Sequence, residues 1–176
     1  MLLTATALLM LLQQAPAEGT DWDAEFGVEV QERDPVTGEL PVAPYEQSNA
    51  NAGAAPYTGT QLAAAFGRRE GIARIAARTV ELSEADPRIA ALFEGNDMIR
   101  LKRTLGEQFC YLLAAGCDYT GRDMRAAHAE LRITAAHMNA LVENLQVAMR
   151  EADVPFAAQN RLLAKLAPMS RDVTGR

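Results

Sequence analysis

Residues 97–116 read DMIRLKRTLGEQFCYLLAAG, and their apolar side chains recur at steps of three and four residues. This recurrence places the apolar side chains along one face of an α-helix, as in helices that pack against a core. Asp97 supplies an N-cap acceptor before the pattern, and Gly116 ends it. The stretch therefore predicts an amphipathic helix whose apolar face consists of Met98, Leu101, Leu105, Phe109 and Leu112.

Helical patterns also lie on both sides of this stretch. Asp86 followed by Pro87 is typical of a helix start, Thr134 can cap a long helix, and Val154-Pro155 separates that helix from the last one. The further predicted helices cover residues 61–84 (interrupted near Gly67 and Gly71), 86–93, 122–132, 134–153 and 156–166. Because no segment has a convincing strand pattern, the sequence predicts an all-α domain of about six helices over residues 61–176.

The first 60 residues have a different character. Residues 2–12 form an apolar run, and Ala15-Pro16-Ala17 has the spacing of a cleavage site, so residues 1–17 predict an export signal. We expect an exported protein, in a bacterial periplasm, with no stable membrane span after cleavage. The alternative is an uncleaved segment that tethers the chain to a membrane. Residues 18–60 contain Pro, Asn and Gly and predict a leader or linker, on which Trp22, Phe26 and Tyr45 are candidates for docking.

The charge is divided unevenly along the chain. The net charge is −6, and residues 18–59 hold nine of the 23 acidic residues but only Arg33 of the 17 basic ones. The rest of the chain is nearly neutral, and no basic stripe with interleaved aromatic residues is visible. This pattern argues against a nucleic-acid partner.

Few residues are available for metal or nucleophilic chemistry. His128 and His137 are the only histidines, there is no zinc-type Cys/His cluster, and no G-x-S-x-G motif occurs. A haem needs only one protein imidazole and apolar surroundings, because the porphyrin supplies the equatorial nitrogens. His128 lies among small alanines and four residues after Met124, which suits a close approach by a flat ring. From these residues alone, a histidine that is simply paired with a neighbouring carbonyl remains the alternative.

Residues 119–128 read YTGRDMRAAH and resemble the segment Y-x-G-x-x-M-x-x-x-H of group I truncated haemoglobins, whose histidine is the proximal iron ligand. Five further segments resemble the family in the same order and with matching gaps. They are residues 66–72, 85–93, 98–102, 133–138 and 154–155. The resemblance covers residues 61–174 and implies a two-over-two helical globin with non-covalent haem b.

The resemblance also implies roles for individual residues. His128 would be the proximal ligand and the only metal ligand, and Met124 would lie beside it. Phe93 would pack on the porphyrin, and Lys102 or Arg100 would pair with a haem propionate. The distal side would be lined by Val80, Leu101 and Leu105. His137 would be structural.

Two of these positions depart from the family. Many members have Tyr where this chain has Val80, and Gln or a similar residue where it has Leu105, and those groups hydrogen-bond the oxygen ligand. A missing hydrogen bond of about 1.5–3 kcal/mol would favour fast oxygen release and autoxidation. The expected function is the binding or transport of oxygen, or binding of carbon monoxide or nitric oxide. No catalytic residue is assigned, and nitric-oxide dioxygenase or peroxidase chemistry is at most a side activity.

Two other functions stay open at this stage. One is a haem redox enzyme or sensor, in which Met98 or Lys102 becomes the sixth ligand and an unknown reductase is the partner. The other is a haem-free globin-like module that interacts through the acidic leader.

Cys110 and Cys117 are the only cysteines, and their spacing is not the C-x-x-C-H of covalent haem attachment. On one straight helix they would lie about 10 Å apart along the axis, beyond disulfide reach. If the helix ends near Leu113, Gly116 can return Cys117 to Cys110. The sequence leaves open a disulfide or two separate thiols.

Overall fold

The structure is a computed structural model that describes residues 31–174. In that range all regular secondary structure is α-helix or 3-10 helix, and no strand occurs. Residues 32–174 belong to one compact unit. The α-helices are α1 Gln61–Ala65, α2 Arg68–Ala85, α3 Met98–Leu112, α4 Met124–Ala127, α5 Ala135–Glu151, α6 Phe156–Leu166 and α7 Ser170–Val173. Three 3-10 turns cover Asn49–Ala52, Ala90–Leu92 and Ala167–Met169.

Helix α2 is the centre of the packing, because it lies against both α3 and α5. A Cβ atom at Gly106 of α3 would lie 3.8 Å from Ala73 Cα and 3.8 Å from Ala76 Cβ of α2, so the two helices cross closely at this glycine. The main core cluster draws on α2, α3, α5 and α6, and its fully buried members include Ile72, Leu113, Met149 and Leu162. The predicted all-α class is confirmed.

Local capping explains where the long helices begin. The Asp97 carboxylate accepts from the N–H groups of Ile99 and Arg100, and the Thr134 hydroxyl accepts from the N–H of His137. His137 returns the bond, because its Nδ1 accepts from the Thr134 N–H at 3.3 Å. Both predicted starts are confirmed, and His137 has the structural role that the sequence suggested.

Two predicted helices are wrong in extent. The helix expected over residues 122–132 is only Met124–Ala127, because Glu130 and Arg132 adopt left-handed φ values of 68° and 49°. The helix expected over residues 86–93 is reduced to the 3-10 turn Ala90–Leu92. The predicted interruption near Gly67 is present, with Gly67 at φ 73° between α1 and α2, whereas the one predicted near Gly71 is wrong because Gly71 lies within the continuous helix α2.

Cys110 and Cys117 form a disulfide, with Cα atoms 5.6 Å apart. Helix α3 ends at Leu112, and left-handed residues at Ala114 and Gly116 turn the chain back. Of the two possibilities that the sequence left open, the structure has the bridge. It fixes the end of α3 to the loop that leads to His128.

Residues 32–60, which we call the arm, pack against the helices although the sequence suggested a leader or linker. Ala52 is fully buried, and its carbonyl accepts from Gln108 Nε2 at 3.0 Å. Tyr57 N donates to the Leu112 carbonyl at 2.8 Å, and its hydroxyl donates to the Arg161 carbonyl at 2.6 Å. Apart from the Asn49–Ala52 turn, the arm is held by long-range hydrogen bonds in place of regular secondary structure.

The predicted export segment and the start of the leader, residues 1–30, lie outside the described residues. Among the helices of the described part, none combines the length and apolar character needed to cross a membrane.

A buried carboxylate anchors the arm on α3. Glu39 is only 6% exposed and forms ion pairs with Arg103 and with Arg100, the latter at 3.1 Å. The Arg103 hydrogen bond holds the pKa of Glu39 below its ordinary value. Nearby, Asp97 accepts from Leu40 N at 2.7 Å, so the same carboxylate both caps α3 and holds the arm.

We expect Glu39→Gln to lower the free energy of unfolding by about 1–3 kcal/mol at pH 7, because two guanidinium groups lose their anionic acceptor. Since the folded pKa is lowered from an unfolded value of about 4.3, the stabilisation is complete above about pH 5 and is lost as pH falls below about 4. Urea unfolding between pH 3 and 7 measures the difference. Glu46→Gln, at an exposed position of the same arm, is the matched control. A wild-type advantage that stays constant down to pH 3 would contradict this assignment.

Candidate functional site

His128 lies at the C-terminal end of α4, and its ring makes a defined hydrogen bond. The Asp123 carboxylate caps α4 by accepting from Ala126 N at 2.9 Å. The half-buried His128 side chain places Nδ1 2.7 Å from the Met124 carbonyl oxygen. Because a carbonyl oxygen only accepts, Nδ1 carries the proton, and in the neutral tautomer with this bond the lone pair is on Nε2. This is the tautomer that ligates a metal through Nε2, so pairing with a carbonyl and metal ligation are compatible here.

Met124 connects α4 to the interior of α3. Its Sδ atom accepts from the buried Gln108 Nε2 at 3.3 Å. Met124 also packs against a second apolar cluster that contains Leu112, Tyr119 and Met169. Gln108 was not among the predicted site residues, since a single glutamine in a helix carries no distinguishing sequence pattern. It now links the arm, α3 and the base of the His128 turn.

The residues predicted for the distal side lie on α2 and α3, with Phe93 directly after the Ala90–Leu92 turn. Val80 is 2% exposed, whereas Leu101, Leu105 and Phe93 are half-buried. Other half-buried large apolar residues come from α2, α3, α5 and the segments between them. They are Leu82, Leu92, Met98, Leu131, Met138 and Leu141.

A haem needs a single protein ligand and an apolar environment, and His128 and these half-buried apolar residues are of the types required. A site built from several protein ligands has less support, because the described residues contain no group of three or more His, Cys, Asp or Glu placed to hold a metal ion.

The two candidate propionate partners already have partners within the protein. Lys102 Nζ lies 3.2 Å from Glu81 Oε1, a single contact near the surface. Arg100 pairs with Glu39 and donates to the Leu40 carbonyl at 2.6 Å, so it serves the arm. A propionate role for either residue stays a prediction. Exposed pairs are worth little, so Lys102 can exchange its partner at lower cost than Arg100.

Comparison with known proteins gives a consistent result. A family model described as bacterial-like globin matches residues 62–175. A group 1 truncated hemoglobin from Tetrahymena pyriformis is 26% identical over 92 residues, which cover 52% of this chain and 76% of that protein.

Solved structures also resemble this fold. The crystal structure of the Tetrahymena pyriformis truncated hemoglobin, in its Fe(III) form, has a TM-score of 0.63 at 22% identity and covers 65% of this chain and 98% of its own. The 2/2 hemoglobin of Synechococcus sp. PCC 7002, in the cyanomet state with covalently attached heme, has a TM-score of 0.61 at 24% identity, with the same coverage of 65% and 98%. The predicted two-over-two helical fold is therefore confirmed.

Proposed function

This chain belongs to the bacterial-like globin family, and we propose that His128 is the proximal ligand of its haem iron. Globins hold haem and bind diatomic gases, and a haem held by His128 would supply the iron that binds such a gas. The observation that carries the assignment is the 2.7 Å contact between His128 Nδ1 and the Met124 carbonyl. That bond fixes the tautomer, orients the ring and increases the basicity of Nε2.

We assign the chain to group I and its cofactor to non-covalent haem b. The segment YTGRDMRAAH and the likeness to a group 1 protein support the first assignment. The second is supported by the cysteines, which are joined to each other and lack the C-x-x-C-H spacing. The half-buried Phe93 and Leu101 would supply part of the apolar contact surface.

The two histidines provide a direct test of the ligand. We expect His128→Gly to lose the ferrous iron–imidazole signature and to regain it when free imidazole is added, because the small molecule can occupy the vacated position. The measurements are absorption and resonance Raman spectra of the ferrous protein, with and without carbon monoxide. His137→Ala is the control and should keep the wild-type spectrum. A wild-type signature in His128→Gly without added imidazole would exclude this ligand. If the wild-type chain shows no Soret band after haemin is added, the result would favour a haem-free module.

The proposed distal side lacks a side-chain donor at its two key positions, Val80 and Leu105. The hydroxyls near Val80 are already committed to their own helix. Thr79 donates to the Ile75 carbonyl at 2.8 Å, and Ser83 donates to the Thr79 carbonyl at 2.8 Å. We infer an oxygen-binding protein that releases its ligand quickly, with carbon monoxide and nitric oxide as ligands that depend less on a donor.

We expect Leu105→Gln to slow oxygen dissociation by about 10- to 150-fold, since the new amide donor would add a hydrogen bond of about 1.5–3 kcal/mol. Stopped-flow kinetics of oxygen release measures this effect. Leu105→Met is the matched control, because methionine, like glutamine, has an unbranched Cβ and Cγ but carries no N–H donor. Equal oxygen dissociation rates in the two variants would remove Leu105 from the distal side.

We also propose that residues 1–17 direct the chain to a periplasm and are then removed. The disulfide supports this, because such bridges persist in oxidising compartments. Expression in a bacterium with a periplasm should give a mature protein that begins at Glu18 and has no thiol open to alkylation. Intact-mass spectrometry after alkylation reads both properties. A control chain that starts at an added Met before Glu18 should stay in the cytoplasm with alkylatable cysteines. The full chain found there with its N-terminus intact would refute export.

A further inference from the structure

The loop between the disulfide and α4 is bonded to the arm at five consecutive residues. We call residues 118–122 the proximal loop, because it leads directly to the turn that carries His128. Each bond joins one residue of the proximal loop to residues 43–51 of the arm. The bonds are Asn49 Nδ2 to Asp118 Oδ1 (2.9 Å), Tyr119 N to Asn49 Oδ1 (2.7 Å), Tyr45 Oη to Thr120 O (2.8 Å), Asn51 Nδ2 to Gly121 O (3.2 Å) and Arg122 to Ala43 O (3.3 Å).

Asn49 and Asn51, which make three of the five bonds, lie on the 3-10 turn Asn49–Ala52. Ser48 Oγ accepts from Ala50 N at 3.2 Å at the start of the Asn49–Ala52 turn. At its end, the buried Ala52 carbonyl accepts from Gln108 Nε2, which also contacts Met124 Sδ. Asn51 Nδ2 also donates to the Glu46 carbonyl at 2.9 Å. The backbone around the two asparagines is therefore held within the arm, which lowers the entropy cost of their bonds to the proximal loop.

The proximal loop is fixed from the α3 side as well. Glu107 Oε2 accepts from Thr120 N at 3.0 Å and from its hydroxyl at 2.7 Å. A Cβ atom at Gly121 would lie 2.3 Å from Tyr119 Oη, so the tyrosine ring occupies the space beside this glycine. Burial raises the pKa of Tyr119 to about 12, which keeps its hydroxyl a donor to the Arg122 carbonyl at 2.8 Å.

The position of His128 depends on this loop because α4 is a single turn. Helix α4 has four residues, and helices this short are unstable unless other contacts hold them. On its outer side, Arg125 pairs with Asp172 of α7 at 2.6 Å, a surface contact of little energetic weight. The proximal loop leads directly into α4 and, together with the contacts of Met124 to Gln108 and the second apolar cluster, sets where the helix begins.

We propose that Asn49 and Asn51 are positioning residues for the proximal ligand, which they orient through the proximal loop. They lie before residue 62, where the family match begins, so this control of the site comes from outside the matched globin region. The proposal rests on the proposed function, in which His128 ligates the iron. In this role the arm would act on the haem site through the proximal loop.

The test uses the full chain with haem and the double variant Asn49→Ala/Asn51→Ala. We expect amide exchange at Tyr119 to be about tenfold faster, because its N–H loses its acceptor. The iron–imidazole stretching band should shift or broaden, and haem loss to an acceptor apoglobin should be about tenfold faster. Asn160→Ala, at an exposed position of α6, is the matched control and should change none of the three.

If the double variant does not fold, Asn51→Ala alone removes the bond to Gly121 and should give a smaller shift in the same direction. A positioning role is overturned if Tyr119 exchanges faster while the band and the rate of haem loss stay at wild-type values. It is also overturned if Tyr119 exchange does not change. The ligand assignment fails separately, when His128→Gly keeps the iron–imidazole band whatever the asparagine variants show.

Discussion

The hydrogen bond between His128 Nδ1 and the Met124 carbonyl couples the backbone of one short helical turn to the proposed chemistry of the site. A ring held in this way has one lone pair in one direction, so any movement of α4 moves that lone pair. Much of the neighbouring structure immobilises this turn. The disulfide fixes the end of α3, and Gln108 donates a hydrogen bond to Met124. The proximal loop is hydrogen-bonded to α3 and to the arm.

The close crossing of α2 and α3 at Gly106 provides the scaffold for these contacts. Because the helices approach closely, the buried core is continuous through α2, α3, α5 and α6. Helix α3 is therefore held firmly and carries residues of both the distal and the proximal side. On one face α3 carries Leu101 and Leu105. On another it carries Arg103 and Glu107, which hold the arm and the proximal loop.

Features encoded by neighbouring residues were predictable, and features that depend on distant contacts were not. Asp97 and Thr134 predicted where their helices begin, because a helix cap is a hydrogen bond between neighbouring residues. Glu130 and Arg132 carry no turn signature, so their left-handed backbone and the short α4 were missed. Formation of the Cys110–Cys117 disulfide depends on where α3 ends, and the sequence did not fix that residue. The docked arm was missed because its bonds join residues far apart in the chain, 70 positions for Asn49 with Tyr119 and 56 positions for Gln108 with Ala52.

The proposed distal and proximal sides have opposite characters, and this contrast has a functional consequence. A globin can adjust gas binding by hydrogen bonds to the ligand or by the orientation and basicity of the proximal imidazole. Val80 and Leu105 offer no donor, and Thr79 and Ser83 spend theirs on their own helix. Control then falls to the proximal side, where His128 is oriented by a loop bonded to the arm. On this assignment, the arm, which precedes the matched globin region, contributes to ligand affinity because it restricts the movement of His128, the residue that would bind the iron.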